Sequence, residues 1–276
     1  MVATTAERKT GGTAAVQVPG RGLSWWLTGA SEMAKRNIRT ILRSPQLVMF
    51  ALIQPVMFIL LFSLVFGGAV DVPGGDYTQF LLPGIFVQMV LFGSVASATM
   101  GMSMDMQDGI MDRFRSMPIS RSSVLVGRTV SEILRTVVSL VVMIVVGTII
   151  GFRFLGGFLP AIGGIALLLF FGYSLSWLGA FIGVTASGPA AAQQIGLIWM
   201  FPFSFLSSAF VPTESMPGWL RVYADHTPMT TVVNSLRALF SGTPVGDNVW
   251  VTLAWAVGII LVTAPLSVRK YASQSR

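Results

Sequence analysis

The most distinctive polar part of the sequence is residues 105–128, which lie between two long uncharged runs. Met106, Ile110 and Phe114 recur every four positions, so they form an apolar ridge on one face of a short helix that Pro118 ends. Asp112, Arg113 and Arg115 flank this ridge, and the set of residues predicted to contact a partner also includes Asp108 and Arg121. An apolar ridge with charged shoulders is typical of a helix that inserts into a partner's groove. The alternative is a solvated basic loop that only sets orientation in a membrane.

A second set of residues could form a binding cavity rather than a docking surface. Met and aromatic side chains adapt to varied apolar ligands, and a few polar groups among them fix a ligand's orientation. The candidates lie in two of the uncharged runs and are Gln88, Met89, Phe92, Trp199, Phe201, Phe203 and Phe205. For any single one of them, contact with lipid or packing inside a helix bundle is the alternative.

Groups that carry enzyme chemistry are scarce. The sequence has no Cys, and its single His, His226, lies in an Asp-His-Thr-Pro stretch where loop packing and a substrate gate are the alternatives. A nucleotide-binding P-loop needs a Lys directly after a Gly, and none of Lys9, Lys35 and Lys270 follows one. We therefore expect a non-catalytic chain that binds no metal and no cofactor of its own.

The composition places these residues in a membrane protein. Of 276 residues, 53% are hydrophobic and 11% are charged, whereas an ordinary soluble domain is about 25% charged. About 20 apolar residues cross a bilayer, and the uncharged runs predict six spans, at about residues 46–68, 80–104, 128–151, 160–185, 190–211 and 248–267. Gly188 and Pro189 divide the fourth span from the fifth, although three short spans between residues 154 and 213 are the alternative.

The charge distribution predicts the orientation of the spans. Fifteen of the 18 basic residues fall in the two terminal segments and in the segment after the second span, and only Arg153, Arg221 and Arg237 fall on the opposite side. Basic residues are enriched in cytoplasmic loops. We therefore expect both termini in the cytoplasm, with residues 1–20 as a disordered, uncleaved tail and residues 269–276 as a second tail.

Two amphipathic segments lie outside the predicted spans. Residues 21–43 carry apolar residues at helical spacing and a basic stripe on another face, which predicts a helix along the cytoplasmic surface of the membrane. On the far side, after Pro228, an apolar face predicts short helices that dip into the outer leaflet or pack on the mouth of the bundle. The residues of that face are Met229, Val232, Val233, Leu236 and Phe240.

Ionisable residues are absent from the central parts of the predicted spans. Glu132 and Arg135 are placed at the cytoplasmic end of the third span, where they pair at i, i+3 or snorkel towards the surface. A carrier coupled to protons or ions usually has ionisable groups inside its spans. Ion coupling is therefore not expected.

Two motifs resemble those of ABC-2 type exporter permeases, and in particular the daunorubicin-resistance (DrrB-like) permeases of actinobacteria. The first is an acidic-x-x-x-G-x-x-x-R-x-x-x-x-P-x-S-R pattern, matched by Asp105, Gly109, Arg113, Pro118, Ser120 and Arg121. The second is an N-P-[LM]-T…R-x-[LF]…G pattern in residues 226–242, where Thr227 replaces the usual Asn. The resemblance covers nearly the whole chain.

This resemblance implies an all-α polytopic membrane protein in the cytoplasmic (inner) membrane of a bacterium, with six transmembrane helices. It also implies an amphipathic connecting helix at residues 21–43 in the membrane–water interface, a cytoplasmic coupling helix, and short outer-leaflet helices between spans five and six. It implies two copies of a separate ATP-binding subunit, which would bind ATP and Mg and touch the ridge residues. A second permease copy, as a homodimer in lipid, would enclose the substrate between spans two and five. Nucleic acid is not an expected partner.

The resemblance implies export of amphipathic drugs or other hydrophobic compounds by alternating access. One alternative is export of a lipid or glycolipid, because the same apolar cavity suits both. Another is a membrane anchor that recruits a cytosolic ATPase and transports nothing.

Overall fold

We describe the fold from a computed structural model. It describes residues 53, 56–58, 60–62, 76–107 and 121–273. The predicted N-terminal tail, the connecting helix at residues 21–43, most of the first span and most of the coupling segment lie outside these described residues. The last three residues of the predicted C-terminal tail lie outside them as well.

The described part of the chain is helical and contains no strand, which confirms the all-α prediction. The helices are α1 (Tyr77–Gln107), α2 (Arg121–Ile150), α3 (Phe158–Thr185), α4 (Pro189–Phe205), α5 (Gly218–His226), α6 (Pro228–Ser241) and α7 (Asn248–Ser273), with a 3-10 turn at Thr213–Ser215. The described positions between residues 53 and 62 are helical too. Helix α3 ends at Thr185 and α4 begins at Pro189, so a helix break lies at the position where the sequence predicts the division between spans four and five.

Three of these helices are long and apolar enough to cross a membrane, so the chain is a multi-pass membrane protein. The three segments are Tyr77–Met104, Phe158–Thr185 and Asn248–Tyr271. Helix α2 has a shorter apolar part, Arg135–Ile150, and α4 has 17 residues. The total of six spans stays a prediction. Helix α7 runs to Ser273 and so includes part of the predicted tail.

The long helices alternate in direction, which gives the bundle two distinct ends. At one end the Tyr77 hydroxyl donates a hydrogen bond to the Phe210 carbonyl at 3.1 Å, so the start of α1 lies beside the chain that follows α4. At the other end Met102, Trp177, Val184 and Tyr271 pack together, so the C-terminal parts of α1, α3 and α7 meet. We call these the Tyr77 end and the Gln107 end; the charge distribution predicts that the Gln107 end is cytoplasmic.

Helices α1 and α3 form the centre of the bundle because glycines let their backbones touch. A Cβ atom at Gly179 would lie 2.6 Å from the Val95 carbonyl oxygen, and one at Gly183 would lie 2.5 Å from that of Thr99. The Thr99 hydroxyl donates to the Gly179 carbonyl at 3.0 Å. Small residues allow such an approach between membrane helices, where packing and hydrogen bonds drive association.

The residues of the predicted apolar face after Pro228 lie on α6, at the Tyr77 end. Met229, Val232, Val233 and Leu236 are fully buried and Phe240 is 2% exposed. The helix packs on the mouth of the bundle, against α1, α3 and α7. This packing fixes the position of the polar residues on its other faces.

Candidate functional site

The predicted cavity residues on α1 and α4 meet at one aromatic contact. The rings of Phe92 and Phe201 lie edge to face with centroids 5.3 Å apart. Phe201 stacks on Phe205 at 6.0 Å, and Phe205 stacks on Phe210 at 5.1 Å. Phe58, in the first predicted span, lies 6.5 Å from Phe205. These rings form a continuous aromatic surface, which we call the α4 aromatic face.

The other predicted cavity residues do not join this face. Trp199 and Phe203 pair with each other at 5.6 Å, and they lie on another side of α4 because two residues along a helix correspond to a rotation of about 200°. The Trp199 Nε1 is buried and has no hydrogen-bond partner in the described part of the chain. Gln88 is 3% exposed, and Met89 is partly buried. The seven residues therefore do not line one wall.

The α4 aromatic face is open. Phe201 is 48% exposed and Phe205 is 39% exposed. Helix α4 buries only a narrow seam of residues, spaced four apart, against the bundle: Ala192, Gly196, Met200 and Ser204. Leu197, Trp199 and Phe203 are partly buried against the bundle. The exposed part of the helix, which includes Phe201 and Phe205, is available to lipid, to an apolar ligand or to another protein.

An arginine at the Tyr77 end, Arg237 of α6, binds the non-helical residues 206–212 that follow α4. Its Nη2 donates to the carbonyl of Ser208 at 2.7 Å and to that of Ala209 at 3.3 Å. Its Nε donates to the Phe80 carbonyl of α1 at 2.9 Å, and its guanidinium lies 3.4 Å from the centroid of the Phe80 ring. Nη1 donates to the side-chain oxygen of Asn234 at 3.2 Å. One side chain thus ties three segments together.

The position of Arg237 explains what a charged residue does there. Carbonyl groups in a non-helical segment have no regular partner, and leaving them unpaired costs free energy. Burial lowers the pKa of the Arg237 guanidinium to about 9, because desolvation penalises the charged form. The group stays protonated at neutral pH. The sequence analysis identified Arg237 only as one of three basic residues on the outer side and as part of the second motif. The signal that could have shown its role is that Arg237 is the single charged residue of an otherwise largely buried helix.

Other contacts hold the same segment. The Ser208 amide donates to the Thr230 hydroxyl at 3.0 Å. A Cβ atom at Gly84 of α1 would lie 2.1 Å from the Ala209 carbonyl oxygen, so only glycine allows this approach. Thr227 caps α6, since its hydroxyl accepts a hydrogen bond from the Thr230 amide. Thr and Asn both serve as helix caps, which explains why Thr227 can replace the Asn of the motif.

His226 lies at the C-terminal end of α5, in this same region. Its ring Nδ1 lies 2.8 Å from the Val222 carbonyl oxygen, one helical turn back. This contact favours the packing role over the gate.

An arginine also lies halfway along the bundle. The Nη2 of Arg135 donates to the Gly93 carbonyl of α1 at 2.7 Å. One position further along each helix, the hydroxyls of Ser94 and Thr136 are 3.5 Å apart. The sequence placed Arg135 at the end of its span, because the uncharged run begins at the next residue. The structure instead sets it beside the middle of α1.

Little of the predicted coupling surface can be described. Met106 is partly buried and packs against Met102, Trp177 and Tyr271 at the Gln107 end. Arg121 is the first residue of α2. The other members of the set lie outside the described residues: Asp108, Ile110, Asp112, Arg113, Phe114, Arg115 and Pro118. The coupling role stays a prediction. Within the described ranges no three His, Cys, Asp or Glu residues cluster as a metal site.

Comparison with known proteins agrees with this architecture. The family model for ABC-2 type transporter matches residues 30–241. The daunorubicin resistance ABC transporter permease protein DrrB1 of Streptomyces coeruleorubidus is 36% identical over 223 residues, which cover 81% of this chain and 78% of that protein. The probable doxorubicin resistance ABC transporter permease protein DrrC of Mycobacterium tuberculosis (strain ATCC 25618 / H37Rv) is 24% identical over 226 residues, 80% of each chain. The chain therefore belongs to the ABC-2 type transporter family.

Proposed function

We propose that this chain is the membrane permease subunit of an ATP-driven exporter, which moves amphipathic drugs or other hydrophobic compounds out of the cell by alternating access. The curated relatives with drug-resistance names support a drug as the cargo. The chain itself would be non-catalytic, since its sequence has no P-loop lysine. Two copies of a separate subunit would bind ATP and Mg, and the permease would work as a homodimer in the cytoplasmic membrane.

The observation that carries this proposal is that α1 joins both predicted functional surfaces. The helix runs to Gln107 and so includes Met106, the first residue of the predicted coupling ridge, and it carries Phe92 at the contact with the α4 aromatic face. An α-helix is stiff over such a length. Movement of the coupling segment by the ATP-binding subunits would therefore shift Phe92 relative to Phe201 and alter the apolar surface that a substrate meets.

The α4 aromatic face supports a substrate site next to a second copy of the chain. Its rings are rigid and apolar, and Phe201 and Phe205 stay partly exposed. Aromatic surfaces of this kind bind flat, polycyclic compounds by stacking. A second copy placed against this face would enclose a cavity that neither copy forms alone.

Transport in inverted membrane vesicles tests the proposal. The permease is co-expressed with an ABC ATP-binding subunit from the same genome, and uptake of a fluorescent anthracycline is followed with and without ATP. We expect ATP-dependent uptake that is lost when the partner carries an ATPase-inactivating substitution. Copurification of the two subunits without drug movement would contradict the drug-export proposal and direct the search to lipids. Failure to copurify would contradict the coupling prediction.

A pair of Phe variants separates a transporter from a membrane anchor. Phe92→Ala removes the ring that contacts Phe201, and we expect it to change the relative uptake of different anthracyclines. Phe158→Ala is the matched control, because Phe158 is 83% exposed at the start of α3. An anchor that transports nothing would show no ATP-dependent uptake in either variant or in the wild type.

A further inference from the structure

Helix α4 carries a proline in its interior. Pro202 has no backbone N–H group, so the carbonyl of Ile198, four residues earlier, lacks the hydrogen bond that a regular helix provides. A proline ring at this position also crowds that carbonyl. In the described part of the chain no side chain and no loop residue donates to the Ile198 carbonyl. The carbonyl is therefore an acceptor that a donor from outside the helix can use.

This acceptor lies on the α4 aromatic face. Positions three, four and seven residues apart share one side of a helix, so Ile198 lies beside Phe201, Pro202 and Phe205. Ile198 is 72% exposed, and the other three residues are exposed as well. Gln194, one turn before Ile198, is also exposed and adds a side-chain amide oxygen. The face thus combines aromatic rings with dipolar acceptors.

The acceptor also lies deep in the membrane region. Phe201, one turn after Ile198, contacts Phe92 of α1. Phe92 is fifteen residues after Tyr77 and twelve before Met104, the ends of the membrane-spanning segment of α1. At 1.5 Å per residue these separations are about 23 Å and about 18 Å, so the contact lies in the inner part of a bilayer core about 30 Å thick. An unpaired carbonyl is costly at this depth, and a donor that reaches it gains more than it would in water.

We propose that the α4 aromatic face binds apolar compounds that carry a protonated amine with an N–H group, and that this group donates to the Ile198 carbonyl. A carbonyl oxygen and the faces of aromatic rings are both regions of negative potential, so both attract an ammonium group. Helix α4 contains no basic residue, so a carboxylate or a phosphate finds no cation on it. The inference names a substrate class for the proposed site; its transport part rests on the proposed function, whereas its binding part does not.

Restoring the missing hydrogen bond removes the acceptor and leaves the rings in place. Pro202→Ala supplies a backbone N–H to the Ile198 carbonyl, and the variant should fold because Ala is favoured over Pro inside a helix. Pro265→Ala is the matched control, since it restores the same kind of bond to the carbonyl of Leu261, which is 69% exposed on α7. Residues 257–270 contain no aromatic residue, so the carbonyl there has no ring of its own helix beside it.

Fluorescence binding to the purified permease in nanodiscs measures the contact. The probes are N-dansyl-1,10-diaminodecane, which is protonated at neutral pH, and its trimethylammonium derivative, which has the same charge but no N–H at the cationic nitrogen. The ratio of their dissociation constants is compared between variants, so that partitioning of the probes into lipid cancels. We expect Pro202→Ala to shift this ratio about tenfold against the primary amine, and Pro265→Ala to leave it unchanged. Phe201→Leu should weaken binding of both probes.

The possible results separate the site from the transport proposal. The same ratio in the wild type and in Pro202→Ala, an equal shift in Pro265→Ala, or no binding of either probe by the wild type would overturn the inference. If Pro202→Ala does not fold, the ratio in Pro202→Leu decides, because that variant supplies the same N–H. Amine-selective binding that is lost in Pro202→Ala, without ATP-driven anthracycline uptake by the complex, would support the site and contradict the proposed function. ATP-driven anthracycline uptake with an unchanged ratio in Pro202→Ala would do the reverse.

Discussion

Replacing Arg237 by Met removes the guanidinium that binds residues 206–212 but keeps an apolar stem of similar length. Two of the lost hydrogen bonds are short, at 2.9 Å to the Phe80 carbonyl and 2.7 Å to the Ser208 carbonyl. A hydrogen bond from a charged donor contributes about 1.5–3 kcal/mol, so two of them contribute about 3–6 kcal/mol. Arg237 is only partly buried, and water can replace part of the loss. We therefore expect residues 206–212 to open more easily by about 3 kcal/mol.

Hydrogen exchange followed by mass spectrometry measures this opening in the purified protein in nanodiscs. A loss of about 3 kcal/mol corresponds to exchange about 100-fold faster, confined to residues 206–212 and the first turns of α1. Arg221→Met is the matched control, because the Arg221 side chain pairs with Asp225 at 3.6 Å in a solvent-exposed ion pair. Such pairs contribute about 0–1 kcal/mol, so its effect should be small.

The result that would refute this reasoning is unchanged exchange of residues 206–212 in Arg237→Met. An equal increase in Arg221→Met would refute it too, since the effect would then follow from net charge. Arg237→Lys adds a second check. A single ammonium cannot reach the Phe80 and Ser208 carbonyls with the geometry of a guanidinium fork, so its exchange rates should lie between those of the wild type and Arg237→Met.

Three further predictions concern other positions. Gly84→Ala should destabilise the protein by about 1–3 kcal/mol in thermal unfolding, because the new Cβ would meet the Ala209 carbonyl oxygen. Gly163→Ala is the control and should be neutral or slightly stabilising, because a Cβ at that position would meet no atom within 4 Å. Thr227→Asn should preserve the melting temperature, while Thr227→Ala should cost about 1 kcal/mol through the lost helix cap; equal effects would contradict the capping role. Phe114→Asp should abolish drug-stimulated ATP hydrolysis in the complex, because a carboxylate on the apolar ridge would have to be desolvated in the partner's groove. Full drug stimulation of ATP hydrolysis in this variant would contradict the coupling prediction.

The sequence predicts those features of the fold that depend on local pattern. Hydropathy identifies the long helices, the Gly188-Pro189 step identifies the break between α3 and α4, and the spacing of apolar residues identifies the buried face of α6. Helical rotation also accounts for the separation of Trp199 from Phe201, although the sequence analysis treated both as lining one cavity.

Features that depend on contacts between distant residues could not be predicted in this way. The fifth span was predicted to end at residue 211, but α4 ends at Phe205. Backbone groups of residues 208–210 are instead bound by Thr230, Arg237 and Tyr77, from two other helices. No local pattern in α4 contains this information, because the partners lie at least 22 residues away in the sequence.

The two arginines within the bundle act on the same helix. Arg237 of α6 binds the Phe80 carbonyl, and Arg135 of α2 binds the Gly93 carbonyl, thirteen residues further along α1 and therefore about 20 Å away. Both carbonyls already belong to a helix, so the guanidinium groups add ties between α1 and its neighbours without replacing the helical hydrogen bonds. A movement of α1 that enters at the Gln107 end must therefore either carry α2 and α6 with it or break these contacts.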